Sequence, residues 1–487
     1  MKKVLFILLA FLAVSCSKQK LAELNQDPNN PTSVPGYMLF SYAEKSLSDQ
    51  VASVNVNVND FKLWAQYWTE TTYTDESNYN VFTRNVPQRA WGTYYRSVLM
   101  NLKTADSLIG QQAVTTTEAT AVQKNQRAII DLVAVYTWDR MVTMWGNIPY
   151  SQALNFNNSN PAYDDALTIQ KDLISRATAD LAALDDNYGS FSQGDLIYDG
   201  DVALWKKFAN GLLIKMAIQI ANVSGESALV TSTINAATAG TLGSASDNAI
   251  FHYYSTSPNT NPLYEDFVLS GRSDYVAANT IVDKMLSLND PRMSAYFTMV
   301  DTSALGTGKM AYVGGGYGES NAYPSFSHAA PSIVADPTFG NPLMTYSEIQ
   351  FYLAEAAARG LTNGDAGMYY DNAVTASIEF WGGSSTDATT YLAQASVAYD
   401  QANWKELIAT QEWISFYVRG YEGWTTWRRL GYPAMNLPPS PATNNGGFPY
   451  RFTYANNEQT LNHDSYTKAA AAIGGDYLDT KLYWAAQ

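Results

Sequence analysis

MTYSEIQFYLAEAAARG, residues 344–360, gives the clearest indication of the fold class. Thr345 is followed three positions later by Glu348, which is the spacing of a helix capping box. Behind this pair, apolar residues recur at intervals of three and four, as on the buried face of a helix. Gly360 stands where a glycine commonly ends a helix. These features predict a helix that spans the stretch.

Helical spacing of apolar residues extends in both directions from this stretch. Towards the C-terminus it predicts helices near 365–380 and 403–419, where Asn403 and Glu406 repeat the capping pattern and Gly420 closes the run. Towards the N-terminus it predicts helices near 37–58, 60–71, 88–109, 119–145, 165–184 and 201–222. Successive helices joined by short turns favour antiparallel pairs, as in tetratricopeptide-type packing.

The middle of the chain has a different character. Between 225 and 340 the sequence breaks into stretches rich in Gly, Ser, Asn and Pro, with one helix predicted near 276–288. We therefore expect a mostly α protein with a loop-rich insertion in a single large domain.

Composition narrows the function classes. The 487 residues are 46% hydrophobic, which is enough for a substantial core, and the formal net charge is −15 without any Lys/Arg-rich stretch. Such an acidic chain is a poor partner for nucleic acid or anionic membrane surfaces. Charged residues make up only 15%, whereas aromatic residues reach 13%, so much of the polar surface must consist of amides and hydroxyls. That kind of surface suits neutral, hydroxyl-rich ligands.

The first residues have the layout of a secretory signal. Lys2 and Lys3 precede an unbroken apolar run over 4–14, which is about half of the roughly 20 residues that a spanning helix needs. We predict a signal peptide over 1–15 rather than a membrane helix.

Cys16, the single cysteine, follows this run directly. The segment LAVSC (12–16) resembles the lipobox of bacterial lipoproteins, in which the thiol carries diacylglycerol and the new amine is acylated with a chain such as palmitate. The resemblance implies that Cys16 is lipidated and that 16–36, rich in Asn and Pro, forms a tether. The alternative is an ordinary signal peptide with a chance cysteine.

The C-terminal third carries a series of motifs in a fixed order. The AEA helix at 344–360 is followed by IATQEWI (408–414), EGWTTWRRLGYP (422–433) and PYRFTYANNE (449–458). In this order they resemble the signatures of the SusD/RagB-like family of outer-membrane nutrient-binding lipoproteins. NQDPN (25–29) and NDPR (289–292) extend the resemblance to the N-terminal half.

The resemblance implies one ligand-binding domain over 37–487, helical over 37–224, loop-rich over 225–340, and helical with the C-terminal segments over 341–487. It also implies a non-catalytic protein without cofactor. Such proteins lie outside the outer membrane, held by the lipid alone. There they capture oligosaccharides, or in some cases oligopeptides, for a TonB-dependent SusC-like transporter barrel.

Residues for catalysis or metal binding do not form a recognisable motif. The three histidines, His252, His328 and His463, are not spaced as a zinc pair, and no nucleophile elbow or phosphate-binding loop occurs. We therefore predict no catalytic residue and no metal site. A surface glycoside hydrolase stays open as an alternative, because any two of the 45 acidic residues could face each other across a sugar.

Several charged residues stand in apolar helical surroundings. Glu355 lies in the predicted helix at 344–360, Arg428 and Arg429 lie in the motif at 422–433, and Arg451 and Glu458 lie in the motif at 449–458. Because burying such charges requires partners, we assign all five to the fold rather than to a ligand.

Two probable loops combine aromatic rings with hydrogen-bonding groups, the mixture that sugar recognition uses. The candidate ligand-binding residues are Tyr73, Asp75, Asn78 and Tyr79 in the first loop, Tyr264, Arg272, Asp274 and Tyr275 in the second, and Tyr323 further along. Trp64, Trp68 and Trp91 lie on predicted helices and are assigned to the core.

Overall fold

A computed structural model describes residues 34–485, apart from the side chains of residues 304 and 305. The predicted signal peptide, Cys16 and most of the predicted tether lie outside the described residues.

The N-terminal half consists mainly of helices. They are α1 (Gly36–Ala52), α2 (Phe61–Trp64), α3 (Val86–Gly92), α4 (Met100–Gly110), α5 (Thr117–Trp145), α6 (Ala166–Ala183), α7 (Val202–Gln219) and α8 (Ser227–Ala237). A π-helical turn, Thr93–Leu99, joins α3 to α4 without a break.

The strands are short and form two-stranded antiparallel ladders. They are β1 (Trp68–Glu70) with β5 (Tyr275–Ala277), β2 (Ile148–Pro149) with β3 (Tyr163–Asp164), β4 (Ala249–Phe251) with β8 (Asn341–Met344), and β6 (Val300–Asp301) with β7 (Met310–Ala311). Between them lie α9 (Pro262–Tyr264), the π-helical turn Glu265–Leu269, α10 (Asn279–Ser287), α11 (Met293–Tyr296) and α12 (Pro331–Val334).

The C-terminal part is helical again. It contains α13 (Tyr346–Ala358), α14 (Ala366–Phe380), α15 (Ser385–Leu392), α16 (Trp404–Ser415), α17 (Gly420–Leu430), α18 (Asn456–Leu461) and α19 (His463–Ala472).

Consecutive helices pack side by side. The series α4–α5–α6–α7–α8 is one run of neighbours, α13, α14 and α16 form a second group that continues to α17, and α7 packs against α13 to join the two. The expected mostly α fold with paired helices is confirmed.

The capping box that decides α13 forms as its sequence predicts. Thr345 Oγ1 accepts a hydrogen bond from the Glu348 N–H at 3.2 Å, and the Thr345 N–H donates to Glu348 Oε2 at 3.4 Å. Gly360 has φ +73°, the left-handed conformation that a glycine supplies after a helix. Local chemistry therefore fixes both ends of this helix.

Buried ion pairs lock the C-terminal helices together. Arg429 on α17 contacts Glu355 on α13 at 3.0 Å and Glu412 on α16 at 2.9 Å, and all three side chains are at most 1% exposed. The assignment of Glu355 and Arg429 to the fold is confirmed.

The other charges assigned to the fold also bond within the protein. Arg451 pairs with Asp476 at 2.5 Å, and Glu458 accepts a hydrogen bond from the Tyr163 hydroxyl at 2.9 Å. Arg428 donates to the carbonyls of Thr143 and Tyr450 and pairs with no acid among the described residues, so backbone oxygens replace its expected ion pair.

A second buried network surrounds Glu348. Arg419 Nη1 lies 2.6 Å and Lys215 Nζ lies 2.9 Å from its two carboxylate oxygens. Although burial raises it, these two cations hold the pKa of Glu348 at about 2. The capping residue of α13 is thus also an electrostatic link to α7.

Two of the predicted helices are shorter than expected. The helix near 37–58 ends at Ala52, and the helix near 60–71 is limited to the four residues of α2. Gln66 has φ +58°, and its side chain bonds both the N–H and the carbonyl of Asn436. A tertiary contact 370 residues away therefore overrides the local helical spacing.

Gly420 does not close a helix but begins α17. A Cβ atom on this residue would lie 2.4 Å from the backbone nitrogen of Lys62, so the glycine permits close approach of α17 to α2. The cap predicted at Asn403 is also wrong, since its side chain makes no capping hydrogen bond and its amide donates to Asp400. In the region predicted as loop-rich, α8 is an additional helix.

Candidate functional site

The pairing of β1 with β5 brings the two candidate loops together. Glu70, the last residue of β1, lies opposite Tyr275, the first residue of β5. Because the strands are antiparallel, the chain after Glu70 and the chain before Tyr275 leave from the same end of the ladder. The Thr71 N–H extends the contact by bonding the Asp274 carbonyl at 2.8 Å.

A cavity of about 140 Å³, here called the tyrosine chamber, lies where these two loops meet. Four of the nine candidate ligand-binding residues line it: Tyr73, Arg272, Asp274 and Tyr275. The remainder of its wall is formed by Asn55, Val56, Asn57, Glu70, Thr72, Arg84 and Asp266. The structure thus brings together residues that the sequence separates by about 200 positions.

The two tyrosines of this chamber differ in exposure. The side chain of Tyr73 is 80% exposed, whereas Tyr275 is 5% exposed and donates its hydroxyl hydrogen to the Val54 carbonyl at 2.9 Å. Arg272 and Asp274 form an ion pair at 2.7 Å on the rim. The chamber therefore has one buried, hydrogen-bonded ring, one exposed ring and a charged edge, a combination able to contact both the C–H face and the hydroxyls of a sugar.

A second cavity, of about 360 Å³, adjoins the first and is here called the hydroxyl chamber. Its wall consists of Ser46, Asp49, Gln50, Ser53, Asn55, Val58, Thr93, Ser97, Pro262, Glu265 and Asp266. Asn55 and Asp266 belong to both walls, and the Asn55 amide donates to Asp266 Oδ1 at 3.3 Å. We refer to the two chambers together as the cleft.

A buried carboxyl group lies in the wall of the tyrosine chamber. Glu70 is 3% exposed and accepts a hydrogen bond from the Ser77 N–H at 2.9 Å. Burial, together with the neighbouring carboxyl of Glu76, raises the pKa of Glu70 to about 9. The nearby Arg84 pairs with Glu76 at 2.5 Å and not with Glu70. Because its pKa of about 9 lies above neutral, Glu70 keeps its proton at pH 7.

Backbone strain is concentrated beside the cleft. Among the described residues, seven that are not glycine have positive φ, and four of them lie between 66 and 85: Gln66, Tyr73, Tyr79 and Asn85. Such conformations persist only where the surroundings impose them, and they cluster at binding and active sites. The strain therefore marks the same segment as the cavity does.

Five candidate residues lie outside the walls of the cleft. Asn78 is 8% exposed and bonds the Thr74 and Gly318 carbonyls, while Tyr79 is 1% exposed and packs against Trp64. These two residues stabilise the loop from its inner side, and we do not propose them as ligand contacts. Trp64, Trp68 and Trp91 are buried, which confirms their assignment to the core.

The other three candidates occupy different surroundings. Asp75 accepts a hydrogen bond from Asn80. Tyr264 is half-buried, and two residues close to it in sequence, Pro262 and Glu265, line the hydroxyl chamber. Tyr323 stacks on His328 with ring centroids 3.9 Å apart. None of the three lines either chamber.

Asn55, Glu70 and Asp266 line the cleft but were not among the residues predicted from sequence. The sequence contains a signal for the first, since Val and Asn alternate from Val54 to Asn59, a period of two that does not suit a helix. Glu70 stands before two threonines and a tyrosine, a composition that favours a strand over the helix expected there.

A larger cavity, of about 770 Å³, lies among α4, α5 and α6. Its wall includes apolar side chains such as Leu102 and Trp138, and charged residues that already pair, as Arg127 does with Asp106 at 2.7 Å. None of the candidate residues contributes to it. It is a groove of the helical scaffold.

Residues 34–485 contain neither a membrane-spanning helix nor a metal-binding cluster. No helix in that range is long and apolar enough to cross a membrane. No group of three or more His, Cys, Asp or Glu side chains in it is arranged to hold a metal ion.

The fold and the cleft define a mostly α protein in which paired helices support a polar and aromatic cavity at a loop edge. The chain belongs to the SusD-like family described as "Starch-binding associating with outer membrane", whose model matches residues 28–455. The family expected from the sequence motifs is thus confirmed. No curated protein matches the chain significantly.

Solved structures resemble the chain over nearly its whole length. A protein described as a chitin-binding protein is 24% identical, with a TM-score of 0.81 and coverage of 93% of this chain and 100% of that chain. A SusD homologue from Bacteroides uniformis is 23% identical, with a TM-score of 0.76 and coverage of 93% and 100%. A chitin-binding SusD homologue from Flavobacterium johnsoniae is 20% identical, with a TM-score of 0.77 and coverage of 92% and 98%. At these identities the likeness establishes the fold.

Proposed function

We propose that this protein captures oligosaccharides at the cell surface without chemical change and delivers them to a TonB-dependent SusC-like transporter in the outer membrane. The observation that carries the proposal is the tyrosine chamber, where Tyr73 and Tyr275 lie beside hydrogen-bonding groups at the meeting point of two loops. Membership of a family described as starch-binding supports the same ligand class.

The character of the cleft agrees with a sugar ligand. A pyranose presents C–H groups on its faces and hydroxyls at its edge, so it needs an aromatic ring together with amides, hydroxyls and carboxylates. Tyr73 supplies an exposed ring, and the hydroxyl chamber supplies the polar groups along its continuation. The relatives described as chitin-binding bind such a ligand.

The test is a glycan array followed by calorimetry on the purified chain from residue 17 onwards. We expect binding to at least one oligosaccharide class, with the affinity reduced by changes at Tyr73 and unchanged by changes in the helical groove at the exposed Lys124. Saturable binding that is insensitive to every change in the cleft would contradict the site.

Two alternatives predict different outcomes. Oligopeptide capture by the same cleft predicts binding to a peptide library and none to the glycan array. A surface glycoside hydrolase predicts release of reducing sugar, which product chromatography detects. Turnover that depends on Glu70 would replace the proposed function with catalysis.

In the proposed function, Cys16 carries the lipid anchor that keeps the cleft near its transporter. A tether raises the effective concentration of one partner at the other without adding a contact. We expect Cys16→Ala to leave ligand affinity intact and to lower import by whole cells. Equal loss of affinity and import would contradict an anchoring role.

A further inference from the structure

The cleft has an unusual charge distribution. The wall of the hydroxyl chamber contains Asp49, Glu265 and Asp266 but neither Lys nor Arg. The tyrosine chamber contains two cations, Arg84 and Arg272, and each already pairs with an acid. Every cation in the two walls is therefore neutralised within the protein.

Two of the acids have no such partner. Asp49 pairs with Lys45 at 2.5 Å, but among the described residues Glu265 and Asp266 form no ion pair. Glu265 accepts a hydrogen bond from the Thr260 hydroxyl at 2.7 Å, and Asp266 accepts one from the Asn55 amide. Both carboxylates are thus bonded by neutral donors, and the nearby Arg272, which is already paired with Asp274, compensates Asp266 only in part.

Asp266 is the acid that a ligand spanning the cleft would contact, because it belongs to the walls of both chambers. A ligand that extends from one chamber into the other must pass it. Burial raises the pKa of Asp266, which means that its ionised form is poorly solvated in the cleft. A cation brought by the ligand would supply the missing compensation.

Building on the proposed function, we propose that the cleft selects glycans that carry free amino groups, with a sugar ammonium placed against Asp266 and Glu265. A charge-assisted hydrogen bond is stronger than a neutral one, whereas a uronic acid or sulfate in the same place would be repelled. A free amine distinguishes this ligand from N-acetylated and from unsubstituted glycans of the same linkage.

Three tetrasaccharides that differ only at C2 test the inference by calorimetry at low ionic strength. They are the β-1,4-linked tetramers of glucosamine, N-acetylglucosamine and glucose. We expect the glucosamine tetramer to bind about tenfold more tightly than the glucose tetramer, as one charge-assisted contact allows. The difference should shrink as salt is added, because screening weakens the ammonium contact.

Variants locate the effect. Asp266→Asn retains an oxygen that can accept from Asn55, and it should reduce the ratio of the glucosamine to the glucose tetramer affinity from about tenfold to about one. Glu265→Gln should reduce the preference by a smaller factor. Glu379→Gln removes one exposed acid on α14, outside both walls, and should leave the preference unchanged.

Three outcomes would overturn the inference. They are equal or weaker binding of the glucosamine tetramer, a preference that survives both Asp266→Asn and Glu265→Gln, and tighter binding of tetralysine than of the glucosamine tetramer. Binding of the glucose or N-acetylglucosamine tetramer alone would overturn the inference and leave the proposed function standing. If none of the three tetramers binds, the inference falls, and the glycan array decides the proposed function.

Discussion

Two buried glutamates, one in the helical scaffold and one in the cleft, show opposite electrostatics. Glu348 lies between Arg419 and Lys215, and its pKa is lowered to about 2. Glu70 has no cation in contact among the described residues, and its pKa is raised to about 9. Burial is nearly the same for both, so partners alone set the direction. Glu348 is thus paired and links helices of the scaffold, whereas Glu70 lies in the wall of the candidate site without a cation in contact.

The largest effect is expected where the scaffold network loses an anion. Glu348→Gln would remove the nearer of two acids that Arg419 and Lys215 share and leave them with Glu422, 3.7 Å from each. It should lower the free energy of unfolding at pH 7 by about 3 kcal/mol. Urea denaturation measures the change. Asp106→Asn, which breaks the half-exposed pair with Arg127, should cost at most about 1 kcal/mol. Equal losses of stability in the two variants would contradict the expected difference between a buried ion network and a half-exposed ion pair.

The next effect concerns binding and not stability. Tyr73→Ala removes the exposed ring of the tyrosine chamber and should weaken oligosaccharide binding by about 2 kcal/mol, the loss typical of an aromatic anchor. Calorimetry measures it. Phe156→Ala removes a ring that is 90% exposed and outside the cleft, and should have no effect on affinity. Identical affinities for the two variants would remove Tyr73 from the site.

A smaller effect should appear in the pH dependence of stability. Between pH 4.5 and about 9 the unfolded chain releases the Glu70 proton that the folded chain retains, so the free energy of unfolding falls as pH rises. Glu70→Gln mimics the protonated acid and should reduce this slope by up to about 1.4 kcal/mol per pH unit. Urea midpoints at pH 6 and pH 7 report the slope, with Glu379→Gln as control. If the free energy of unfolding changes equally with pH in Glu70→Gln and in the unchanged protein, Glu70 is ionised in the folded chain.

The smallest effect is local to α13. Thr345→Ala removes the hydroxyl that caps the Glu348 N–H and should lower stability by about 1 kcal/mol. Thermal unfolding measures it, and Thr345→Ser, which retains the hydroxyl, should restore most of the stability. A loss as large as that of Glu348→Gln would indicate that the cap and the ion network form one cooperative unit.

The sequence predicts those parts of the fold that neighbouring residues determine. Thr345, Glu348 and Gly360 act within one helix, so their pattern predicts α13 nearly to its ends. Gln66 and Gly420 depend on contacts with Asn436 and Lys62, which no local pattern contains. For that reason the predictions near 60–71 and at 420 were wrong.

The same distinction applies to the candidate site. Composition alone pointed to the loops that carry Tyr73 and Arg272, because aromatic and polar residues concentrate there. It did not separate the exposed ring of Tyr73 from the buried ring of Tyr79, six residues later. Nor did it reach Asp266, whose place at the junction of two chambers depends on the distant Asn55. Exposure and convergence are properties of the tertiary structure.

The ladder of β1 and β5 has a consequence for how such a cleft changes over evolutionary time. Three residue pairs hold the two strands in register, and both loops of the tyrosine chamber leave from one end of this frame. Insertions beyond that end alter the rings and charges offered to a ligand without shifting a helix of the scaffold. Changes to a few loop residues at this end can therefore alter ligand specificity while the helices of the scaffold keep their places.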